Sequence, residues 1–459
     1  MRPRPRLEAV KVRSDAVAVP LAVLLVAAAF VVPHWNLGIV TPLIHTDIFP
    51  VRLFAQTAPI FGRWEAHVGW GTPAAIVIGA ATVAWGPTVA ARLGWRALTL
   101  TAWAVSAVWG FSLAMVDGWS YGFAGRLKAG NEYLLQVPGV TDIPTAVRDF
   151  ARRIADFQPD SWITHVSGHP PGALLTFVWL DRIGLGGGTW AAVFCLLVGS
   201  SAATAIIVTL RALNDEQTAR LAAPFVAVAP TAIWIAVSAD GYFAGVAAWG
   251  IALLALAVRR EGRAPTVAAV GAGLLLGWGI FLSYGLVLMA VFAVAVLVCA
   301  RSRRDALIAL TAAVLAVLVV VGVFAWAGFW WFDGYVAVQQ RYWGGIAGAR
   351  PFQYWSWANL ASVVCAIGLG SVAGISKVFN RAAIRARSGI HLIVLAALVA
   401  IVWADLSMLS KAETERIWLP FMVWLTAAPA LLPPSSHRWW LGVNIVGALL
   451  LNHLIMTNW

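Results

Sequence analysis

The feature that most limits the fold of this chain is the recurrence of long apolar runs that carry almost no charge. AVAVPLAVLLVAAAFVV (16–32) and AAVFCLLVGSSAATAIIVTL (191–210) are each long enough, as helices, to cross about 30 Å of hydrocarbon. In the whole chain, 61% of the residues are hydrophobic and 11% are charged. Because lipid offers the backbone no hydrogen-bond partners, such runs must be helical. We therefore predict an all-α, polytopic membrane protein.

Thirteen segments are predicted to cross the bilayer within a single integral-membrane domain, residues 1–459. They are residues 15–33, 73–90, 96–116, 189–210, 221–238, 242–258, 266–283, 284–300, 305–331, 356–375, 389–405, 417–432 and 438–456.

The distribution of basic residues predicts the orientation of these spans. With the N-terminus inside, the cytoplasmic segments hold 20 of the 32 basic residues and 6 of the 20 acidic ones, which gives +14 inside and −2 outside. The predicted location is the plasma membrane, multi-pass, with a cytoplasmic N-terminus. The net charge of +12 is therefore explained by basic residues on the cytoplasmic side of the lipid bilayer, and we predict no nucleic-acid partner.

Two outer segments are long enough to suggest function, namely residues 34–72 and 117–188. Within the second, apolar residues recur at helical spacing over 145–157, which predicts an interfacial amphipathic helix acting as a lid or as a structural brace. The segment 173–185 contains Asp181 and Arg182 and is too short to span, so we predict a helix at, or dipping into, the outer interface.

The first outer loop carries two candidate acids. Asp47 lies in LIHTDIFPVRLF (43–54) and is either a general base or a solvated acid paired with Arg52. Glu65, in GRWEAHVGW (62–70), has a similar aromatic setting and the same two interpretations.

The motif THVSGHPPG (164–172) predicts a junction between a loop and a helix, because a proline pair is tolerated at a helix start. His169, at the mouth of that helix, is expected either to meet a phosphate or to cap the turn. His165 is four residues earlier, but two histidines without a carboxylate at zincin-like spacing do not indicate a metal site. No cofactor and no metal are predicted, although a divalent cation is left open.

Several polar residues lie at the outer ends of predicted spans, where desolvation makes charge costly. Asp240 and Tyr242 occupy a short hairpin that is expected to face an internal cavity. Arg416, in KAETERIWLPF (411–421), is expected to hold a lipid phosphate or to snorkel to the interface. Arg341 belongs to a loop rich in aromatic residues on the same side, suited to phosphate and sugar.

The arrangement of these motifs resembles the GT-C superfamily of integral-membrane glycosyltransferases. The resemblance is carried by SGHPPG (167–172), by the surroundings of Asp47 and by ETERIWLP (413–420). The superfamily includes the protein O-mannosyltransferases, the aminoarabinose transferase that modifies lipid A, and the polyprenyl-phosphate-dependent mannosyl- and arabinosyltransferases of actinobacterial envelopes.

The resemblance implies a polyprenyl-phosphate sugar donor, an outward-facing cavity and an inverting transfer to a glycan, lipid or protein hydroxyl. Asp47 would be the base, and Arg416, with His169, would hold the leaving phosphate. Many members have paired acids in the first loop, whereas HTDIF (45–49) has one, so either Glu65 is the partner or Asp47 is not the base. A secondary transporter or flippase, and an O-antigen ligase or polymerase, are the alternatives.

Overall fold

The computed structural model describes residues 14–35, 57–259 and 264–458, and its regular structure is almost entirely helical. The predicted all-α class is confirmed. The α-helices are, in chain order, α1 (Ser14–Val31), α2 (Gly71–Arg92), α3 (Trp95–Ala114), α4 (Ile143–Arg148), α5 (Thr164–Ser167), α6 (Pro171–Arg182), α7 (Gly188–Ser200), α8 (Ala202–Leu213), α9 (Glu216–Ala227), α10 (Ala232–Ile235), α11 (Ala239–Arg259), α12 (Ala264–Leu282), α13 (Met289–Val298), α14 (Arg303–Trp326), α15 (Trp331–Gly344), α16 (Ile346–Ala349), α17 (Phe352–Ile367), α18 (Leu369–Ile375), α19 (Arg381–Arg385), α20 (Gly389–Leu406), α21 (Thr414–Ile417), α22 (Leu419–Leu425) and α23 (His437–Leu454).

Short elements connect several of these helices. The 3₁₀ turns are Val32–His34, Arg126–Lys128, Tyr133–Leu135, Val137–Gly139, Arg152–Ile154, Tyr284–Leu288, Ala428–Leu431 and Pro434–Ser436, and Trp119–Ala124 is a π turn. Two strands, β1 (Gly62–Trp64) and β2 (Ile455–Thr457), pair antiparallel with Gly62 opposite Thr457. This pair joins the end of the first outer segment to the C-terminal part of the chain.

In the described ranges, 8 helices are long and apolar enough to cross a membrane, or up to 9 if a bent pair counts as one span. The multi-pass prediction is supported, but the number thirteen is not confirmed. The eight are Ser14–His34, Gly71–Arg92, Trp95–Ala114, Gly188–Leu213, Ala239–Arg259, Pro265–Leu282, Arg303–Trp326 and Gly389–Leu406.

Three of the remaining predicted spans are interrupted. The segment 221–238 breaks after α9, where Pro230 has no N–H to continue the helix. The segment 356–375 bends by 107° between α17 and α18, at Gly368, whose φ of 78° is a left-handed conformation that favours glycine. The segment 417–432 is divided between α21, α22 and a 3₁₀ turn. Apolar composition alone therefore overestimated the number of continuous helices.

Helix α11 is the central element of the bundle, and most of its length is buried. It packs against α7, α8, α12 and α22. Its sequence is rich in glycine and alanine, and Gly245 lies directly against the backbone of Val198, so small residues allow the close packing. Asp240 is in the first turn of α11, where the helix dipole favours a negative charge.

The structure confirms the junction predicted at residues 164–172. Helix α5 ends at Ser167, Pro170 is the N-cap of α6, and α6 begins at Pro171, so both prolines lie at the start of a helix and not inside one. The next residue, Gly172, lies so close to α12 that a Cβ atom there would be 2.6 Å from the carbonyl oxygen of Phe281. The motif therefore seats α6 tightly on the bundle.

The predicted helix over 145–157 is not continuous. Helix α4 is capped by Asp142, whose carboxylate accepts the amide of Thr145 at 3.0 Å, and it ends at Arg148. The apolar residues Val147, Phe150 and Ile154 are buried as predicted. Phe157 is 98% exposed and has a φ of 62°, so the helical pattern does not extend to it.

Candidate functional site

The centre of the candidate site is a buried ion pair between Arg416 on α21 and Asp240 on α11. Nη1 of Arg416 donates to Oδ2 of Asp240 at 2.7 Å, and Nη2 donates to Oε2 of Glu413 at 3.0 Å. Arg416 is 5% exposed and Asp240 2%. Burial disfavours the guanidinium charge, but the two carboxylates outweigh it and raise the pKa of Arg416 above its ordinary value. Arg416 is therefore a permanent buried cation.

A cationic edge, formed by Arg350 and Lys411, adjoins this pair. Nη2 of Arg350 donates to Oε1 of Glu413 at 3.1 Å, so the Glu413 carboxylate bridges Arg350 and Arg416. Nζ of Lys411 donates to the carbonyl oxygen of Gly348 at 2.6 Å and lies 5.0 Å from the centre of the Trp343 ring. Burial, and then Arg350, lower the pKa of Lys411. Arg350 and Arg416 thus share one carboxylate, and the Lys411 ammonium lies within electrostatic reach of Arg350.

The backbone that carries these groups is strained. Ala412 and Glu413 have φ values of 73° and 61°, in the left-handed region that residues with a Cβ rarely adopt. Two such residues in succession persist only where the surroundings fix them, which is typical of functional sites.

Glu132 and His165 form a second pair within electrostatic reach of Arg416. Nδ1 of His165 is 2.7 Å from Oε1 of Glu132, and both residues are 8% exposed. Burial opposes the ionisation of Glu132, but His165 and Arg416 outweigh it and lower its pKa. Glu132 is therefore a carboxylate at neutral pH.

His169 has a fixed tautomer. Its Nδ1 is 2.7 Å from the carbonyl oxygen of His165, and because a carbonyl only accepts, Nδ1 carries the hydrogen. Burial lowers the pKa of His169, so the ring is neutral at pH 7 and Nε2 presents a lone pair. The ring lies between Tyr133 and Phe243, with centroid distances of 5.8 and 5.5 Å.

These groups form one electrostatic unit, which we call the buried cluster. The charge of Arg416 acts on Glu132, Tyr133 and Glu413, and that of Asp240 acts on His169. The members of the buried cluster are Glu132, Tyr133, His165, His169, Asp240, Glu413 and Arg416.

Four of the residues selected from the sequence meet in the buried cluster: His165, His169, Asp240 and Arg416. Tyr242 lies beside it, and its hydroxyl is 3.3 Å from Oγ1 of Thr176 and accepts Nε1 of Trp278 at 2.8 Å.

Two other candidates have different partners. Nη1 of Arg341 donates to the carbonyl oxygens of Ile154 and Trp162 at 2.9 and 2.7 Å, which braces the segment around α4. Glu65 is exposed, and its carboxylate accepts Nε of Arg63 at 2.6 Å. Asp47 lies outside the described residues.

Five residues of the site were not among the candidates selected from the sequence: Glu132, Tyr133, Arg350, Lys411 and Glu413. Glu132 and Tyr133 lie in AGNEYLL (129–135), a loop and a 3₁₀ turn without helical or strand periodicity. The available signal was an acid directly before three apolar or aromatic residues. In the part of the chain that the structure describes, no group of three or more His, Cys, Asp and Glu side chains is arranged to hold a metal ion.

The end of the first outer segment is anchored next to the cluster. The amide of Phe61 donates to Oε1 of Glu415 at 2.8 Å, and the hydroxyl of Ser362 donates to Oε2 at 3.0 Å. The guanidinium of Arg350 lies 5.3 Å from the centre of the Phe61 ring. Glu415 is fully buried, so this anchor is inaccessible to water.

The anchor predicts a pH dependence of stability. Burial raises the pKa of Glu415 from 4.5 to about 7. Between these values the folded protein retains a proton that the unfolded chain releases, so the free energy of unfolding falls as the pH rises through the window and levels off above it. We expect Glu415→Gln to flatten this part of the profile, as measured by denaturant unfolding in detergent between pH 4.5 and 8. If the free energy of unfolding fell equally steeply with pH in the wild type and in Glu415→Gln, the raised pKa of Glu415 would be contradicted.

No family model and no curated protein matches the chain. Among solved structures, it is similar to the apo crystal structure of the Archaeoglobus fulgidus oligosaccharyltransferase, with 13% identity and a TM-score of 0.49 over 74% of this chain and 50% of that one. The complex of that enzyme with Zn and sulfate has 15% identity to this chain and a TM-score of 0.43, and the match covers 78% of this chain and 52% of that one. A third similar structure is the archaeal oligosaccharyltransferase AglB from the same organism in complex with an inhibitory peptide and a dolichol-phosphate. It has 15% identity and a TM-score of 0.41, and the match covers 73% of this chain and 50% of that one.

The chain therefore spans about half the length of these solved chains. At such identities and TM-scores, the similarity assigns neither a substrate nor an activity to it.

Proposed function

We propose that this chain is an inverting GT-C glycosyltransferase of the plasma membrane. It moves a sugar from a polyprenyl-phosphate donor to a hydroxyl of a glycan, lipid or protein at the outer face. The observation that carries this proposal is the meeting of two remote segments. SGHPPG (167–172) and ETERIWLP (413–420), which bear the resemblance to the superfamily, contribute His169, Glu413 and Arg416 to the same buried cluster.

The distribution of charge suits a donor that is anionic at one end and neutral at the other. The cationic edge of Arg350 and Lys411, together with Arg416, stabilises the negative charge that develops on the departing phosphate. Cations held in a buried site need no reorganisation as the bond breaks, so their effect is larger than in water. The carboxylates of Glu132 and Asp240 also act on Arg416, and because they would repel the phosphate we assign the neutral sugar to their neighbourhood.

The transfer is a single displacement. The acceptor oxygen forms a bond to the anomeric carbon while the bond from that carbon to the phosphate oxygen breaks, so the configuration inverts. The acceptor proton passes to the Asp47 carboxylate, and polyprenyl phosphate leaves as an anion. The anchoring of Phe61 to Glu415, beside Arg350, supports Asp47 as the base because the first outer segment returns to the chain at this place.

A transporter would also account for broken helices and buried charge. At the bend at Gly368, however, the amide of Gly370 donates to Oδ1 of Asn444 at 2.7 Å and is therefore not available to an anionic substrate. The break is therefore a packed structural feature.

The proposal is tested by transfer of radiolabel from polyprenyl-phosphate mannose, glucose and arabinose to glycoside, lipid and peptide acceptors by the purified protein. We expect transfer from one of these donors, with NMR of the product showing inversion at the anomeric carbon. Absence of transfer from every donor, accompanied by ion-coupled uptake in proteoliposomes, would replace the enzyme with a transporter. Retention of configuration would contradict the single displacement.

A further inference from the structure

The hydroxyl of Tyr133 is one of several buried polar groups that have no hydrogen-bond partner in the described part of the chain. Tyr133 is 1% exposed, and among the described residues its hydroxyl has no hydrogen-bond partner. A buried hydroxyl that lacks a partner loses the hydrogen bonds it would make with water, so its position needs a reason.

This hydroxyl faces the buried cluster and stays protonated. The charges of Asp240, Glu132 and Arg416 all act on it. Burial, together with the two carboxylates, raises the pKa of Tyr133 well above its ordinary value, so the group is a hydrogen-bond donor at any physiological pH.

A complementary acceptor lies next to it. The ring of His169 is 5.8 Å from that of Tyr133, and its Nε2 presents a lone pair because Nδ1 donates to the carbonyl oxygen of His165. No hydrogen-bond partner of this Nε2 is found among the described residues, and part of the His169 surface stays accessible. A neutral donor and a neutral acceptor are thus presented side by side without partners.

This pair does not suit a phosphate. A phosphodiester, such as the linkage in the proposed donor, only accepts hydrogen bonds, so it would be repelled by the lone pair of His169 and by the carboxylates of Glu132 and Asp240. A sugar hydroxyl both donates and accepts, and it carries no charge. The aromatic rings of Phe177, 5.3 Å from Tyr133, and Phe243, 5.5 Å from His169, are themselves buried and hold the two side chains in place.

We propose that Tyr133 and His169 bind one hydroxyl of the transferred sugar, with Tyr133 donating to its oxygen and His169 accepting its hydrogen. This subsite deepens the proposed function on which it rests, and it distinguishes two ends of the donor. The sugar lies on the Tyr133 side of Arg416, and the phosphate lies on the side of Arg350 and Lys411.

The first experiment measures binding and does not require turnover. Purified wild type and Tyr133→Phe are titrated with methyl glycosides of mannose, glucose, galactose and arabinofuranose, and with inorganic phosphate, by calorimetry in detergent. We expect one glycoside to bind the wild type and to bind Tyr133→Phe about tenfold more weakly, while phosphate binding is unchanged. Equal affinity of both proteins for every glycoside, no glycoside binding, or loss of phosphate binding alone would overturn the inference.

The second experiment uses the donor identified by radiolabel transfer and its monodeoxy analogues. In the wild type, removal of one particular hydroxyl should lower kcat/KM about tenfold or more, and in Tyr133→Phe most of that penalty should disappear because the partner is already absent. A penalty of equal size in both proteins would contradict the contact. If no donor is turned over but glycoside binding depends on Tyr133, the proposed transfer reaction fails while the sugar subsite stands.

The chain provides a matched control in Tyr284. Its hydroxyl is also buried and without a hydrogen-bond partner in the described ranges, but its neighbours are Trp331 and Tyr335, away from the charged residues. Tyr284→Phe should bind glycosides and process deoxy donors like the wild type. Equal losses in Tyr284→Phe and Tyr133→Phe would show a general packing effect and overturn the assignment.

Discussion

Replacement of Arg416 by glutamine is expected to lower the free energy of unfolding by about 3–5 kcal/mol and to abolish transfer. The reason is the burial of its partners. Asp240 is 2% exposed and loses the charge that compensates it, whereas Glu413 keeps Arg350. Denaturant unfolding in detergent measures the stability, and radiolabel transfer measures the activity.

Two further variants separate stability from chemistry. Arg152→Gln removes an exposed arginine paired with Asp160 at 2.7 Å, and it should leave stability unchanged because water screens that pair. The double variant Arg416→Gln with Asp240→Asn removes both buried charges, so it should regain part of the lost stability but none of the activity. If Arg416→Gln were as stable as Arg152→Gln, the buried ion pair would not be the centre of the site.

Asp47→Asn is expected to lower kcat about a hundred- to ten-thousandfold while the KM for the donor changes little. Asparagine has nearly the shape of aspartate but accepts no proton at neutral pH, so it removes the proposed base without removing a binding contact. The measurement is the initial rate of radiolabel transfer at several donor concentrations.

Glu65→Gln is the comparison variant for Asp47→Asn. Glu65 is exposed and paired with Arg63, so its loss should leave kcat close to that of the wild type. A fall as large as in Asp47→Asn would identify the two acids as a working pair. Full activity of Asp47→Asn would remove Asp47 as the base.

The sequence predicted the class of the fold better than the continuity of its helices. Apolar composition identifies segments that belong in lipid, but it does not report where the chain bends within them. The breaks near Pro230 and Gly368 depend on tertiary packing, as the hydrogen bond between Gly370 and Asn444 illustrates. The helix expected over 145–157 failed for a related reason, since apolar residues at helical spacing are also buried by a short helix followed by a 3₁₀ turn.

The site was predictable where a sequence motif, or a charge with a high desolvation cost, marked a residue. His165 and His169 were noticed because of the proline pair, and Asp240 and Arg416 because charge at the end of an apolar span needs a reason. Glu132 and Tyr133 lie in a segment that was predicted to be outside the membrane, where polar residues are ordinary, and only the fold shows that they are buried. Tyr242 and Arg341 satisfied the same sequence criteria, yet their contacts are with Thr176, Trp278 and backbone carbonyls.

The single turn of α21 links three distant parts of the chain. Glu413, directly before it, pairs with Arg350, Glu415 binds the amide of Phe61, and Arg416 binds Asp240 on α11. Because these contacts are made by neighbouring residues, a rotation of α21 would shift all three partners at once. Under the proposed function, a change at any one of these three contacts would be transmitted to the other two through α21.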